Sequence, residues 1–177
     1  DYTGNFNHDI EFVIVTQFVV TGTDPWTTST DAGQLLGSSR NWGNAGNFGV
    51  AFDNGELWTD RDFDGATVGI AYVGGICNTN KYHCLQDYTS NANLLRCMTS
   101  HELGHNFNSG HDLGAGVCPP NFIMCPFVNS STEWSTQSTN VINSYMQTRI
   151  NNGCLGPCSS GPPLVADFTW EPNPACV

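Results

Sequence analysis

The chain has 177 residues, 39% of them hydrophobic, which suffices for one compact domain with a core of its own. A net charge of -11 with only 5 Lys and Arg leaves no basic stripe, so nucleic-acid binding is excluded and an anionic membrane surface would repel it. No apolar run is long enough to span a bilayer as a helix. The chain opens on Asp1 without a signal-type segment, as a processed product would.

In chain order, Ile10 to Val20 is rich in β-branched and aromatic residues and reads as a buried strand. A Thr/Ser/Asp-rich turn with Pro25 follows. Thr30 then caps a short helix over Asp31 to Trp42, with Leu35, Leu36 and Trp42 on one side. Gly and Asn crowd residues 43–49 and mark a loop. Strands are expected at Gly49–Phe52 and Val68–Val73, with a turn at Asp62–Gly65 between them. Asn93 to Asn106 is the strongest helix, since Leu94, Leu95, Met98, His101 and His105 recur at spacings of three and four. Ser109 to Trp134 shows no period and reads as a structured loop. Ser135 caps a last helix to about Ile150, with Val141, Ile142, Tyr145 and Met146 in its apolar stripe, and Gly153 ends it.

The 8 cysteines, Cys77, Cys84, Cys97, Cys118, Cys125, Cys154, Cys158 and Cys176, form no Cys-x-x-Cys pair. This scatter argues against a zinc ribbon or a thioredoxin-type site and fits disulfides formed in an oxidising, secreted setting.

The chemistry lies in His101-Glu-Leu-Gly-His-Asn-Phe-Asn-Ser-Gly-His111. Residues four apart share one helical face, so His101 and His105 can aim two imidazoles at one ion. Glu102, one position on, can reach a water at that ion without ligating. Gly104 lets another backbone approach. A third ligand has to come from beyond the helix, and His111 can return only through a sharp turn. That turn belongs at Asn108, because Asn tolerates the left-handed conformation next best after Gly. Three neutral imidazoles leave one position open, which is the catalytic zinc arrangement; zinc lowers the pKa of its water toward ~7 and polarises a carbonyl. Glu102 is then the general base that passes a proton to the leaving amine. The two remaining histidines, His8 and His83, read as solvated loop residues.

The eleven-residue run resembles the metzincin signature, His-Glu-x-x-His-x-x-Gly-x-x-His, with Asn108 in place of the usual Gly. Phe122-Ile-Met-Cys-Pro126 resembles the Met-turn of that clan, which implies Met124 as the methionine beneath the metal. Asp112 after the third His, and the stretch from Asp64 to Cys77, are similar to the adamalysin (reprolysin) branch. Asn108 is more like its bacterial secreted members. The similarity is best over about residues 60–126. It implies an α+β metzincin fold: a twisted mixed sheet, an active-site helix below it and a small C-terminal helical subdomain, with the cleft between them. It further implies a zinc metalloendopeptidase that binds extended polypeptide along an edge strand at Ala71, Tyr72, Val73, Gly74 and Gly75. Asp112 would orient the third-ligand segment. A Cys77–Cys154 bridge would tie the end of the edge strand to the last helix. The remaining cysteines do not map onto the family pattern, and Cys84–Cys97 and Cys118–Cys125 are guesses for four of them. Some family members hold calcium away from the zinc. Asp53 stands where one acidic calcium ligand would fall, and the other ligands are missing.

The same resemblance implies a catalytic domain over residues 1–158 without the family's first strand and helix. Either the chain is a fragment, or those parts come from a separate or removed N-terminal segment or propeptide. Residues 159–177 read as a linker followed by the opening of a PKD-type β-domain, with an edge segment of the catalytic domain as the alternative. Asn129-Ser-Ser131 matches a glycosylation acceptor. Competing functions are hydrolysis of a small amide, which a closed pocket would favour, and a zinc-containing binding module, which would not need Glu102.

Overall fold

A computed structural model describes residues 1–113, 118 and 121–156. The expected linker and β-segment at 159–177, with Cys158 and Cys176, lie outside the described residues. Helix α1, Ala32–Trp42, is capped by Asp31, whose side chain accepts from Gln34 N; the expected cap, Thr30, instead donates its hydroxyl to Asp64. α1 buries Ala32, Leu35, Leu36 and Ser39. The loop expected at 43–49 begins as a wide helical turn over Gly43–Asn47 that breaks at Gly46, φ 86°.

Three strands follow: β1 Gly55–Thr59, β2 Gly69–Ala71 and β3 Tyr82–Gln86. β3 is central, parallel to β1 and antiparallel to β2, so the sheet is mixed and β2 is an edge. Helix α2, Ala92–Asn106, is capped by Asn91, and helix α3, Thr136–Asn151, by Ser135. Gly153 at φ 71° turns the chain out of α3. One apolar cluster fills the space between α2 and α3 with Leu103, Phe107, Ile123, Trp134, Ile142 and Met146. A second joins α1 to the sheet through Leu35, Leu36, Phe63 and Tyr82. No described helix is long and apolar enough to cross a membrane.

Several expectations are corrected. Ile10 to Val20 forms no strand, and Phe12, Val13, Ile14, Val15, Phe18 and Val19 are exposed. Aromatic contacts hold it at two points, Phe12 against Tyr2 and Phe107, and Phe18 against Trp26 and Trp42, without a hydrogen-bonded strand partner among the described residues. β-propensity records how a side chain fits a pleated surface and does not supply a ladder. The strand expected at Gly49–Phe52 begins instead at Gly55, because Gly49 sits at φ 69° in a turn closed on Gly46 O. Gly55 itself lies flat against the Tyr82 ring. The strand expected over Val68–Val73 is confined to β2.

β3 escaped the sequence reading because all five of its residues are buried and show no alternation. His83 lies on it, 1% exposed, and is a core residue and not a solvated one. Two of the three pairings are present, Cys77–Cys154 and Cys118–Cys125. Cys84–Cys97 is not: both are buried and free among the described residues, Cys84 beside Ser39 under α1 and Cys97 in the α2–α3 cluster.

Candidate active site

His101, Glu102 and His105 project from the last turns of α2. The helix then ends in a Schellman turn: Asn108 N donates to His105 O (2.8 Å) and Ser109 N to Gly104 O (2.9 Å), with Asn108 at φ 73°. The reversal brings His111 back over the helix. One ring nitrogen from each of His101, His105 and His111 lies within 4.8 Å of the others. His111 Nε2 is 3.2 Å from both His105 Nε2 and His101 Nε2.

The outer nitrogens set the tautomers. His101 Nδ1 donates to Ile123 O and His105 Nδ1 to Ser109 O, each at 2.7 Å. Their Nε2 lone pairs are therefore directed inward, toward His111 Nε2, an arrangement that a cation satisfies. Burial, followed by the nearby His105, pulls His101 down to about 4. Burial lowers His105 and His111 too, so all three are neutral ligand-type imidazoles near neutral pH. Among the described residues no other group of three His, Cys, Asp or Glu converges in this way, and Asp53 belongs to none.

Glu102 is 5% exposed, and burial pushes its carboxyl up to about 8. Its Oε2 has no hydrogen-bond partner among the described residues. Across from it, a Cβ on Gly69 of β2 would fall 2.5 Å from Glu102 Oε1, so only glycine leaves room for that carboxylate.

The floor is built by the segment around Met124, which is fully buried. Gly104 admits side chains and not a second backbone: a Cβ there would lie 2.5 Å from Met124 Sδ and 3.2 Å from the Trp134 ring. Gly104→Ala is expected to lower stability by about 1–3 kcal/mol through overpacking, in spite of alanine's better helix propensity. A lower urea midpoint would register it. Asp112, fully buried, ties the third-histidine segment down. Its N donates to Met124 O (2.8 Å), and its Oδ1 accepts from Ser135 Oγ (2.6 Å) and Ser138 Oγ (2.8 Å) at the start of α3.

A groove of about 630 Å³ runs past the histidines, with β2 as one wall and Pro126, Phe127 and Val128 as the other. Of the five residues expected to form the substrate edge, only Ala71 lies in β2. Tyr72 N donates to Tyr82 O and Gly74 N to His105 O, so these amides are spent internally. Gly69, Ala71 and Val73 alternate with them and turn their backbone groups outward. In the expected glycosylation acceptor, Asn129 Nδ2 donates to Phe122 O and Phe127 O. Sequence reasoning missed Ile123 O, Ser109 O, Gly69, Ser135 and Ser138. The first two act through backbone carbonyls and leave no residue-type signal.

The convergent histidines, the adjacent buried carboxylate and the groove define a metallopeptidase-type site. The family described as Reprolysin_5, metallo-peptidase family M12, matches residues 1–149, and the chain belongs to that family. A zinc metalloproteinase-disintegrin-like protein of Cerberus rynchops is 40% identical over 84 residues, 47% of this chain and 14% of that protein. The kaouthiagin-like zinc metalloproteinase-disintegrin-like protein of Naja atra is 44% identical over 69 residues, 38% of this chain and 12% of its own length. Atragin, from the same species, is 42% identical over 67 residues, 37% and 11% of the two chains. These matches thus span a small fraction of the relatives' length, and a bacterial source finds no support among them.

Proposed function

We propose that this chain is the catalytic domain of a secreted zinc metalloendopeptidase with a metzincin active site. The observation that carries the reading is the convergence of three imidazole nitrogens, from His101, His105 and His111, beside a buried Glu102 oxygen that is unpartnered among the described residues. Three nitrogen donors with a remaining open side match zinc's catalytic preference. When bound there, zinc supplies Lewis acidity toward a carbonyl and makes water more acidic.

The chain's own residues do the rest. Ile123 O and Ser109 O hold two imidazoles in the Nδ1–H tautomer. Glu102 takes a proton from the attacking water and delivers it to the leaving amine nitrogen, so peptide hydrolysis needs no covalent intermediate. Polypeptide substrate adds antiparallel to the outward groups of Gly69, Ala71 and Val73, which gives backbone affinity with little demand on sequence. Met124 and Asp112 keep the ligand segments seated from below and behind. The two disulfides support an extracellular setting.

Chelation tests the reading. Digestion of casein or a peptide library is expected to stop in excess chelator and to return when stoichiometric zinc is added back. Digestion that survives complete removal of the metal would contradict it.

A further inference from the structure

Behind the histidines, on the side away from the groove, the end of α2 is joined to the sheet by a buried polar cluster that the catalytic reading does not use. Its centre is Asn106, the residue after His105, which is fully buried. Asn106 Nδ2 donates to Tyr72 O (2.8 Å) and to Tyr82 O (3.1 Å). The amide is thereby wedged where β2 and β3 separate: Tyr72 N still donates to Tyr82 O, and Asn106 takes the place of Tyr82 N, which turns to Asn80 O. With the nitrogen committed to two carbonyls, Oδ1 can only accept. It accepts from Asn54 Nδ2 (2.5 Å) and from His83 Nδ1 (2.9 Å).

That fixes a hydrogen on His83 Nδ1. The other nitrogen, Nε2, lies 2.9 Å from Glu56 Oε2. A bare imidazole nitrogen cannot face a bare carboxylate oxygen at that distance, so the His83–Glu56 pair shares a proton. The chain of contacts runs Glu56 on β1, His83 on β3, Asn106 on α2, then Tyr72 at the end of β2. Two backbone bonds reinforce the last link, Gly74 N to His105 O (2.8 Å) and Ile76 N to Asn106 O (3.3 Å).

We infer that Asn106, steadied by His83 and Glu56, is a positioning residue that sets the register between the substrate-pairing edge and the histidine helix. Tyr72 has its own groups turned inward, while its neighbours Ala71 and Val73 turn theirs toward the groove. Holding Tyr72 O therefore fixes how far a paired substrate backbone lies from His101, His105 and Glu102. The inference rests on the proteolytic reading for its kinetic consequence, whereas the brace itself can be tested without turnover.

Hydrogen exchange on the metal-free 177-residue chain provides that separate test. Asn106→Asp keeps the shape and removes both donors, and His83→Leu removes the support. In each variant the amides of Tyr72, Gly74 and Ile76 are expected to exchange at least roughly tenfold faster, while those of α2 from Cys97 to Leu103 keep their protection. Glu56→Gln is the rescue. Its amide can donate to the bare Nε2 of a neutral His83, so edge protection is expected to stay as in the parent chain. With zinc and a long extended peptide, Asn106→Asp and His83→Leu are expected to raise KM roughly three- to tenfold with kcat nearly unchanged, and to do less to a short substrate that does not reach the edge. Unaltered exchange at residues 72–76 in both variants would overturn the inference. So would equal loss of protection along α2 in both, or a loss confined to kcat. If the parent chain proves inactive, the exchange result still decides the brace.

Discussion

Replacing Glu102 with alanine is expected to leave the fold and metal content intact and to remove nearly all turnover, a loss on the order of 10²–10⁴ from the proton-transfer role alone. The carboxylate is 5% exposed and, among the described residues, has one unpartnered oxygen and makes no side-chain bond that the fold depends on. Deleting it therefore removes chemistry and little structure. Glu102→Gln gives the matching stability test on metal-free protein. Burial raises the Glu102 carboxyl from about 4.5 to about 8, so the folded state binds its proton more tightly than the unfolded state does. The sign follows: between those two values the unfolded chain has released the proton while the folded chain retains it, and stability falls as pH rises. The metal-free parent is expected to lose midpoint relative to Glu102→Gln from pH 5 to pH 8. Full turnover in Glu102→Ala would refute the assigned base.

Removing the Cys77–Cys154 bridge, by paired substitution with alanine, is expected to be the most destabilising change outside the site. The bridge closes a loop of 77 residues, which the chain-entropy account values at roughly 4–5 kcal/mol, a large share of the stability of a domain this size. It also joins the segment just after the edge strand to the end of α3. Cys118–Cys125 closes only 7 residues and is expected to contribute roughly 2 kcal/mol in the same account. Urea denaturation of the two paired variants checks the ranking. Equal losses would show that native-state contacts, and not loop closure, set the effect.

The helices were legible because their signals are local. α2 and α3 carry apolar residues at spacings of three and four, and Ser135 caps α3 as its position suggests. The left-handed turn at Asn108 followed from steric reasoning about a chain that must reverse within six residues. The sheet was not legible in the same way. β3 is buried on both faces, so Tyr-His-Cys-Leu-Gln shows no alternation, and its histidine and glutamine disguise it further. Ile10 to Val20 has the composition of a strand and pairs with nothing in the described chain. Pattern can show that a segment suits a ladder and cannot supply the neighbour.

The site divides along the same line. The ligand-type histidines and Glu102 were visible as spacing. The carbonyls of Ile123 and Ser109 that orient the rings, and the Gly69 gap that houses the carboxylate, exist only once distant segments meet. Nothing in the sequence ties Cys84 to Cys97, and the fold puts them in different clusters. His83 carries no local sign of burial, because the two partners that permit it, Asn106 and Glu56, stand on other elements.

X-ray absorption at the zinc edge, on the purified chain loaded with one equivalent of zinc, tests the central claim most directly. Three imidazole nitrogens and one further light atom, all at about 2.0–2.1 Å, are the expected shell. A shell containing sulfur, a fourth protein ligand closing the site, or no ordered shell at all would contradict the account.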